Sequence, residues 1–297
     1  MTLLVHKKRT PRRRFGNKVV AAAVFVTALA TLTAFLYTQN NWLGLTRITV
    51  DSKRIPSAFD GYKIVHLSDL HGKGFGKGQK RLLAKVEKEA PDLIAFTGDL
   101  VDRGGMSERT RCLELMKGLV AFAPVYLITG NHDQTVGGFD SLEQDLTRLG
   151  VKVLRDKSTL LERGGSEVLL AGIDDPLFTP YADRSIQSVQ VSMSEAIEVP
   201  SQAVFKILLA HRPELFSTYA DAQIDLILSG HAHGGQVRLP FVGGLVAPGQ
   251  GFFPHYTSGA YREDNSVMVV SRGLGNSILP QRLFNRPEII AITLRKS

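Results

Sequence analysis

The chain has almost no cysteine and, over its first eighteen residues, no acidic residue at all. Cys112 is the only cysteine, so neither an intramolecular disulfide nor a cysteine-rich zinc cluster can form. Internal repeats and low-complexity linkers are also missing. With 297 residues, 43% of them apolar, the chain can bury a full core, which excludes a mainly disordered protein.

The lack of acid at the amino terminus explains most of the net charge. Residues 1–18 contain seven lysines and arginines, which account for all but one unit of the formal charge of +8. The rest of the chain is therefore nearly neutral, whereas a nucleic-acid-binding surface needs basic residues spread over one face. We expect no nucleic-acid partner, and we interpret residues 1–18 as a basic cytoplasmic tail.

The next segment, residues 19–37, has no charged side chain. As a helix it would extend roughly 28 Å, just enough to cross a hydrocarbon core of about 30 Å. Positive charge is dense before this segment and sparse after it, which predicts a cytoplasmic amino terminus and an extracytoplasmic body. We predict an uncleaved, single-pass anchor in the cell membrane.

Two alternatives remain for this segment. The run Arg12-Arg13-Arg14-Phe15 resembles the twin-arginine signal of bacterial export, and Ala28-Leu29-Ala30 could be a cleavage site. Cleavage there would leave apolar residues at the new amino terminus, which favours the uncleaved anchor. The second alternative is a helix buried in a core.

After a linker at 38–46, residues 47–297 alternate short apolar runs, polar clusters and helical segments, which predicts layered α/β architecture. The predicted strands are 63–67, 93–97, 125–129, 168–171, 205–210, 224–228, 267–270 and 289–294. The predicted helices are 77–89, 107–122, 141–149 and 185–196. Residues 241–261 are predicted to form a long loop.

Polar clusters follow the carboxyl ends of five predicted strands, the edge at which open α/β sheets form ligand sites. Five of the eight histidines lie in these clusters, which a random distribution would not produce. The candidate metal ligands are Asp69, His71, Asp99, Asn131, His211, His231 and His233.

The spacing of these residues suits cation binding. Asp69 and His71 are two positions apart, as are His231 and His233, so each pair leaves an extended chain on one side and can hold one cation. Asp99 lies at a tight turn, where a carboxylate can bridge two cations. Carboxylate, amide and imidazole ligands suit Mn, Fe or Zn better than Mg or Ca.

Each motif taken alone also has a structural explanation. His211 alone would be a strand-end histidine, and Asp133, Asp174 and Asp175 are interpreted as turn or capping carboxylates. The occurrence of all five clusters in order, each after a strand, favours a metal site.

The chain resembles the calcineurin-like metallophosphoesterase superfamily, whose signature it meets with Asp69-x-His71, Gly98-Asp99-x-x-Asp102, Gly130-Asn131-His132-Asp133, His211 and Gly230-His231-x-His233. The match spans residues 64–233. The membrane segment and residues 67–72, 230–236 and 271–275 further resemble bacterial membrane-associated phosphodiesterases related to enzymes that cleave UDP-diacylglucosamine.

This resemblance implies a four-layer α/β/β/α sandwich and two divalent metal ions, with Mn, Zn or Fe as the candidates. A solvent-derived hydroxide would lie between the ions. One ion would be held by Asp69, His71, Asp99 and His233, and the other by Asp99, Asn131, His211 and His231.

Three further residues are assigned catalytic roles. His132 would act as general acid toward the leaving group, while Asp102 holds its imidazole in the donating form. Residues 98–104 also resemble a motif of Ser/Thr protein phosphatases, in which Arg103 would clamp the phosphate. A solvated turn arginine is the alternative for Arg103. Thr129 stands where those phosphatases carry an arginine, which disfavours that class.

We predict a metal-dependent phosphodiesterase or pyrophosphatase that acts on a lipid or lipid-linked nucleotide at the membrane. Phe252 and Phe253 could then shape a cap over an acyl chain or nucleotide, or could simply pack. The alternatives are a broad-specificity phosphomonoesterase or protein phosphatase, and a non-catalytic metal-binding module, which the complete ligand set disfavours. The sequence leaves the exact substrate, the native metal and the oligomeric state open.

Overall fold

The computed structural model of the protein describes residues 12–102, 105–135, 138–178, 186–198, 204–276 and 279–297. The chain divides into two units, with the boundary between Thr38 and Gln39. In the first unit, the described residues belong to helix α1, which spans Arg12–Asn41. Its segment Asn17–Asn41 contains an unburied 18-residue stretch with a mean hydropathy of 2.4, so the segment is long and apolar enough to cross a membrane.

Helix α1 extends beyond the predicted membrane segment at both ends. It begins within the predicted basic tail, because arginine and lysine are good helix formers. At its other end it continues into the predicted linker 38–46, whose last residues already belong to the first strand.

The second unit contains two mixed six-stranded sheets and two small hairpins. In chain order the strands are β1 (Gly44–Ser52), β2 (Lys63–Leu67), β3 (Leu93–Thr97), β4 (Val125–Ile128), β5 (Lys152–Val153), β6 (Lys157–Arg163), β7 (Ser166–Gly172), β8 (Lys206–Leu209), β9 (Leu226–Ser229), β10 (Arg238–Leu239), β11 (Gly243–Gly244), β12 (Val246–Ala247), β13 (Gly251–Phe252), β14 (Gly259–Glu263), β15 (Ser266–Val270) and β16 (Glu288–Lys296). The helices are α2 (Lys80–Glu89), α3 (Met106–Leu119), α4 (Asn131–Thr135), α5 (Phe139–Arg148), α6 (Ile186–Ile197) and α7 (Phe216–Asp221).

The first sheet has the order β1-β16-β2-β3-β4-β5, and the second has the order β14-β15-β9-β8-β7-β6. Strands β2 to β5 run parallel, and so do β7, β8, β9 and β15. The antiparallel pairs within these sheets are β16 with β2, β14 with β15 and β6 with β7. The carboxyl ends of the parallel strands therefore collect at one edge of each sheet.

The two sheets pack face to face and share one apolar core, while helices cover their outer faces. Alternate side chains of a strand point to opposite faces, so each central strand contributes to two cores. On β2, Ile64 lies between the sheets, whereas Val65 packs on the side of α2, α3 and α5. On β8, Leu209 lies between the sheets and Leu208 packs on the side of α6 and α7. The predicted four-layer α/β/β/α sandwich is confirmed.

All eight predicted strands are observed, with ends that agree to within two residues. The sequence pattern does not predict β1 and β6, because edge strands carry many polar and exposed residues. The predicted long loop at 241–261 contains most of two short hairpins, β10 with β11 and β12 with β13, and the start of β14.

Candidate metal centre

The candidate ligands lie where the carboxyl edges of the two sheets meet. The loops after β2 and β3 are joined by backbone hydrogen bonds from Asp69 N to Gly98 O and from His71 N to Asp99 O, both 3.0 Å. The two sheets are joined by a hydrogen bond from the backbone amide of His231, after β9, to Asp69 Oδ1 at 3.0 Å. A Cβ on Gly230 would lie 2.0 Å from Ser68 Oγ, so only glycine permits this approach.

The first donor group consists of Asp69, His71, Asp99 and His233, all buried, with ligand atoms within 4.8 Å of one another. His71 Nε2 lies 3.1 Å from His233 Nε2, and His233 Nε2 lies 3.3 Å from Asp69 Oδ1. Asp99 Oδ2 is 3.6 Å from His71 Nε2. The structure therefore brings together all four residues that the sequence predicts to hold one ion.

The second donor group consists of Asp99, His211 and His231, again buried and within 4.8 Å of one another. His211 Nε2 lies 3.3 Å from Asp99 Oδ2 and 3.2 Å from His231 Nδ1. Asn131 Oδ1 is 3.2 Å from the same Nε2 atom. With Asn131, these are the four residues that the sequence predicts to hold the other ion.

Asp99 links the two groups. Its Oδ2 atom faces both His71 and His211, and its Oδ1 atom accepts a hydrogen bond of 2.8 Å from the backbone amide of His132. The amide fixes the orientation of the carboxylate, so that one oxygen remains directed at both donor groups. Asp99 therefore belongs to both donor groups.

The surroundings of most of the candidate histidines favour neutral imidazoles that can bind a cation. His211 Nδ1 donates to Thr97 O at 2.7 Å, which leaves Nε2 as a lone-pair donor for a metal. The nitrogens of His71, His233 and His231 that face the donor groups are Nε2, Nε2 and Nδ1, and among the described residues the opposite nitrogen of each ring has no hydrogen-bond partner. Burial lowers the pKa of these three imidazoles, and the neutral form is the one that binds metals.

The two carboxylates and His211 shift one another's pKa values. Burial raises the pKa of Asp69. Burial would also raise the pKa of Asp99, but the charges of His211, His71 and His132 lower it below its usual value. The pKa of His211 rises to about 10 although burial opposes the shift, because Asp99 and Asp69 stabilise its protonated form. A proton and a cation therefore compete for His211 Nε2.

The backbone at the centre is unusual. Five of the seven candidate ligands, namely Asp69, His71, Asp99, His231 and His233, have positive φ angles between 46° and 64°. Residues other than glycine rarely adopt this region, and such strain concentrates at functional sites. The two pairs Asp69/His71 and His231/His233 therefore do not lie on extended chain, as their spacing predicts, because short left-handed turns aim these side chains at one point.

A more open pair lies next to the first donor group. His132 Nδ1 is 2.8 Å from Asp102 Oδ1, and the two side chains are 30% and 33% exposed. The ring of His132 stands edge-on to that of His71, with centroids 4.7 Å apart. His71, Asp102 and His132 also form a third group close enough to share a cation. Arg103 lies outside the described residues.

Sequence reasoning gives Asp133 only a turn role, and the structure gives it a larger one. Its Oδ1 accepts from the amides of Leu100 and Val101 at 2.9 and 3.1 Å, and its Oδ2 accepts from that of Gly130 at 2.9 Å. It thus ties the loop after β3 to the loop after β4. Burial raises its pKa to about 7, and it is absent from the donor groups that the described residues form.

Sequence reasoning misses Glu214 altogether. Its Oε1 lies 3.8 Å from His231 Nε2 and 3.6 Å from Arg212 Nη1, and burial raises its pKa. The signal in the sequence is its position three residues after His211, on the same loop.

The two acidic residues after β7 form ion pairs outside the donor groups. Asp174 Oδ2 lies 2.8 Å from Arg155 Nε, and Asp175 Oδ2 lies 2.7 Å from Arg212 Nε. Both carboxylates therefore serve the structure around the centre, in agreement with their predicted structural role.

Comparisons with known proteins agree with this geometry. A family model described as calcineurin-like phosphoesterase matches residues 62–235. The Bacillus subtilis (strain 168) protein "Uncharacterized metallophosphoesterase YkuE" is 32% identical over 98% of this chain and 99% of its own length. "Phosphodiesterase YaeI" of Escherichia coli (strain K12) is 27% identical over 95% of this chain and 98% of its own length.

A third relative has a membrane-spanning part in its description. "Transmembrane protein with metallophosphoesterase domain" of Danio rerio is 29% identical over 84% of this chain and 57% of its own length. The family model covers more than half of the chain, and its span includes every candidate ligand, His132 and Asp102. The chain belongs to the calcineurin-like phosphoesterase family.

Proposed function

We propose that the chain is a membrane-anchored phosphodiesterase that uses two divalent cations and acts on a lipid or lipid-linked nucleotide. Family membership makes it a metal-dependent phosphoric ester hydrolase. The observation that carries the two-cation proposal is the position of Asp99, whose Oδ2 atom faces His71 at 3.6 Å and His211 at 3.3 Å.

The residues present fit two divalent ions, with Mn, Zn or Fe as the candidates. Asp69, His71, Asp99 and His233 would hold one ion, and Asp99, Asn131, His211 and His231 the other. Two such ions would bind phosphoryl oxygens and would lower the pKa of a bound water from about 15.7 toward 7. A thiolate ligand is excluded, since the only cysteine, Cys112, is buried next to Leu100 O.

His132 is the residue best suited to move a proton to the leaving group. Its Nδ1 lies 2.8 Å from Asp102 Oδ1, so the carboxylate accepts the Nδ1 proton and stabilises the protonated imidazole, whose Nε2 proton can then be donated. The partial exposure of the pair gives a substrate access to it. Arg103 follows Asp102 in the sequence and would bind a phosphoryl oxygen.

Two features support action at a membrane. Helix α1 contains an unburied apolar stretch of 18 residues, and the Danio rerio relative is described as a transmembrane protein. The basic tail before that segment supports an extracytoplasmic position for the body. The diesterase proposal is supported by the description of the Escherichia coli relative as a phosphodiesterase.

The test uses the full-length chain in detergent, stripped of metal and then reloaded with Mn, Zn, Fe(II) or Mg. Hydrolysis of bis(p-nitrophenyl) phosphate and of p-nitrophenyl phosphate is measured. We expect metal-restored cleavage of the diester that is lost in Asp99→Asn and kept in a control, Asp221→Asn, at an exposed position. A preference for the monoester would favour the phosphomonoesterase alternative, and metal binding without hydrolysis of either ester would favour a non-catalytic module.

A further inference from the structure

Exposed apolar side chains are concentrated on the loops next to the metal centre. In the second unit, eight of the large apolar residues that are exposed lie on four segments, and we call them the apolar rim. They are Trp42, Leu239, Phe241, Val242, Phe252, Phe253, Leu279 and Phe284. Phe241 is fully exposed, and Phe252 and Phe253 are 80% and 71% exposed. Soluble surfaces rarely expose several large rings close together.

Backbone contacts hold the segments of the rim together. The hairpin of β10 and β11, which carries Phe241 at its tip, joins the segment of Phe284 through a hydrogen bond from Arg238 N to Leu283 O of 3.0 Å. Leu245, which leads into the second hairpin, donates through its backbone amide to Val237 O, just before β10, at 2.9 Å, which ties the second hairpin to the first. The two hairpins and the segment of Phe284 are therefore neighbours.

The rim is also tied to the metal ligands. Strand β10 begins five residues after the candidate ligand His233. A Cβ on Gly235 would lie 2.3 Å from Gly244 Cα, so the turn after His233 packs directly against β11. Asn285 Nδ2, on the segment of Phe284, donates to His233 O at 2.7 Å. The rim therefore lies beside the metal centre.

Three phenylalanines of the rim have a disfavoured backbone. Phe241, Phe253 and Phe284 have φ angles of 67°, 54° and 51° and are all more than half exposed. Bulky residues rarely adopt positive φ, and an exposed ring contributes little burial to offset the strain. The fold holds these rings outward, which indicates a role in binding.

The segments that carry the rim are basic in sequence. Residues 230–262 and 271–287 contain no acidic residue and five arginines. Arg262 and Arg286 are exposed, and Arg238 and Arg272 are partly exposed. Apolar rings flanked by arginine are typical of surfaces that enter the interface of an anionic membrane.

One end of the rim contacts the residues that follow the apolar segment. Asn40, which belongs to the second unit, donates through Nδ2 to Pro280 O at 2.9 Å and accepts at Oδ1 from Arg282 N at 2.8 Å. Leu279 and Phe284 flank these contacts in the sequence, and Trp42 follows Asn40 by two residues. If α1 crosses a membrane, covalent continuity keeps this part of the rim at the membrane surface.

We propose that the apolar rim inserts into the headgroup region of the lipid bilayer that α1 crosses, so that the metal centre lies beside the lipid headgroups. The occupant of the rim is an anionic lipid surface. This inference rests on the membrane anchoring proposed above and deepens it, because it brings the catalytic centre to its substrate.

The test places a single tryptophan on the rim of the full-length chain in proteoliposomes. Trp42, the only native tryptophan, is replaced by Trp42→Phe, and Phe241→Trp or Phe253→Trp is added. Val204→Trp is the matched control, since Val204 is 54% exposed and precedes β8, at the opposite edge of the sheet from the ligands. The lipids include an anionic species and carry bromine on the acyl chain near the headgroup, which quenches tryptophan fluorescence on contact.

We expect loss of most of the fluorescence at positions 241 and 253 and little loss at 204. Quenching at only one rim position, or at neither, overturns the proposal and leaves a protein partner as the occupant of the rim. Equal quenching at position 204 overturns it as well. Thermal unfolding of each variant checks that it is folded. Metal-dependent hydrolysis of bis(p-nitrophenyl) phosphate is measured separately, so a failure of the proposed enzyme activity is distinguishable from a failure of membrane contact.

Discussion

The candidate ligands and the His132–Asp102 pair lie side by side but in different environments. Asp69, Asp99 and His211 are at most 2% exposed, whereas the side chains of His132 and Asp102 are about one-third exposed. Groups that hold cations benefit from burial, which strengthens their electrostatic interactions. A group that protonates a leaving group must instead reach the substrate. The difference in exposure therefore distinguishes the buried candidate ligands Asp69, Asp99 and His211 from the residues proposed for proton transfer, and mutations should separate the two proposed roles.

The largest effect is expected for Asp99→Asn. This substitution removes the one carboxylate that faces both donor groups, so we expect fewer than two metals per chain and a fall in kcat/KM of at least about 1000-fold. Metal analysis of the purified chain and diester hydrolysis measure the two effects. Two tightly bound metals with normal turnover would contradict the bridging role.

His132→Ala should lower kcat by about 100- to 10,000-fold on a diester with a poor leaving group, while both metals stay bound. The loss should be much smaller for a p-nitrophenyl ester, because p-nitrophenolate leaves without a proton. The comparison of the two substrates in one variant is the measurement. An equal loss on both would argue against proton donation by His132.

Asp174 provides a contrast, as a buried carboxyl outside the donor groups. Burial raises its pKa to about 6 from 3.8, although Arg155 and Thr129 oppose the shift. The folded state then binds the proton on Asp174 more tightly than the unfolded state does, so protonation of Asp174 stabilises the fold. This contribution is complete below pH 3.8 and is lost as the pH rises through 6, by about 3 kcal/mol. Relative to wild type, Asp174→Asn should gain stability between about pH 4 and 7 in thermal unfolding. A constant difference across this range would contradict the shift.

The smallest effect is expected for Asp102→Asn. The amide still contacts His132 but no longer stabilises its protonated form, so we expect a loss of about 10- to 100-fold in kcat with both metals retained. Metal content decides between two roles of Asp102. Loss of a metal would show that His71, Asp102 and His132 act as a cation site instead of a proton-donating pair.

Much of the fold could be predicted because both faces of the central strands are buried, which leaves continuous apolar runs such as residues 93–97. The edge strands β1 and β6 could not, because their polar residues give no such run. The candidate ligands could be found because each follows a strand that was itself predictable. Their roles as ligands remain predictions.

The supporting residues could not be predicted. Asp133 acts through the amides of Leu100 and Val101, more than thirty residues away in the chain, and Glu214 through its approach to His231. Such roles depend on how loops from different strands meet. No local pattern in the sequence specifies these contacts between loops.

The most direct test of the central claim is a metal titration of the full-length, metal-stripped chain, with hydrolysis of bis(p-nitrophenyl) phosphate recorded at each addition of Mn or Zn. The shared position of Asp99 predicts that activity rises until two metals are bound per chain. Activity that reaches its maximum with one metal bound would contradict the two-cation centre.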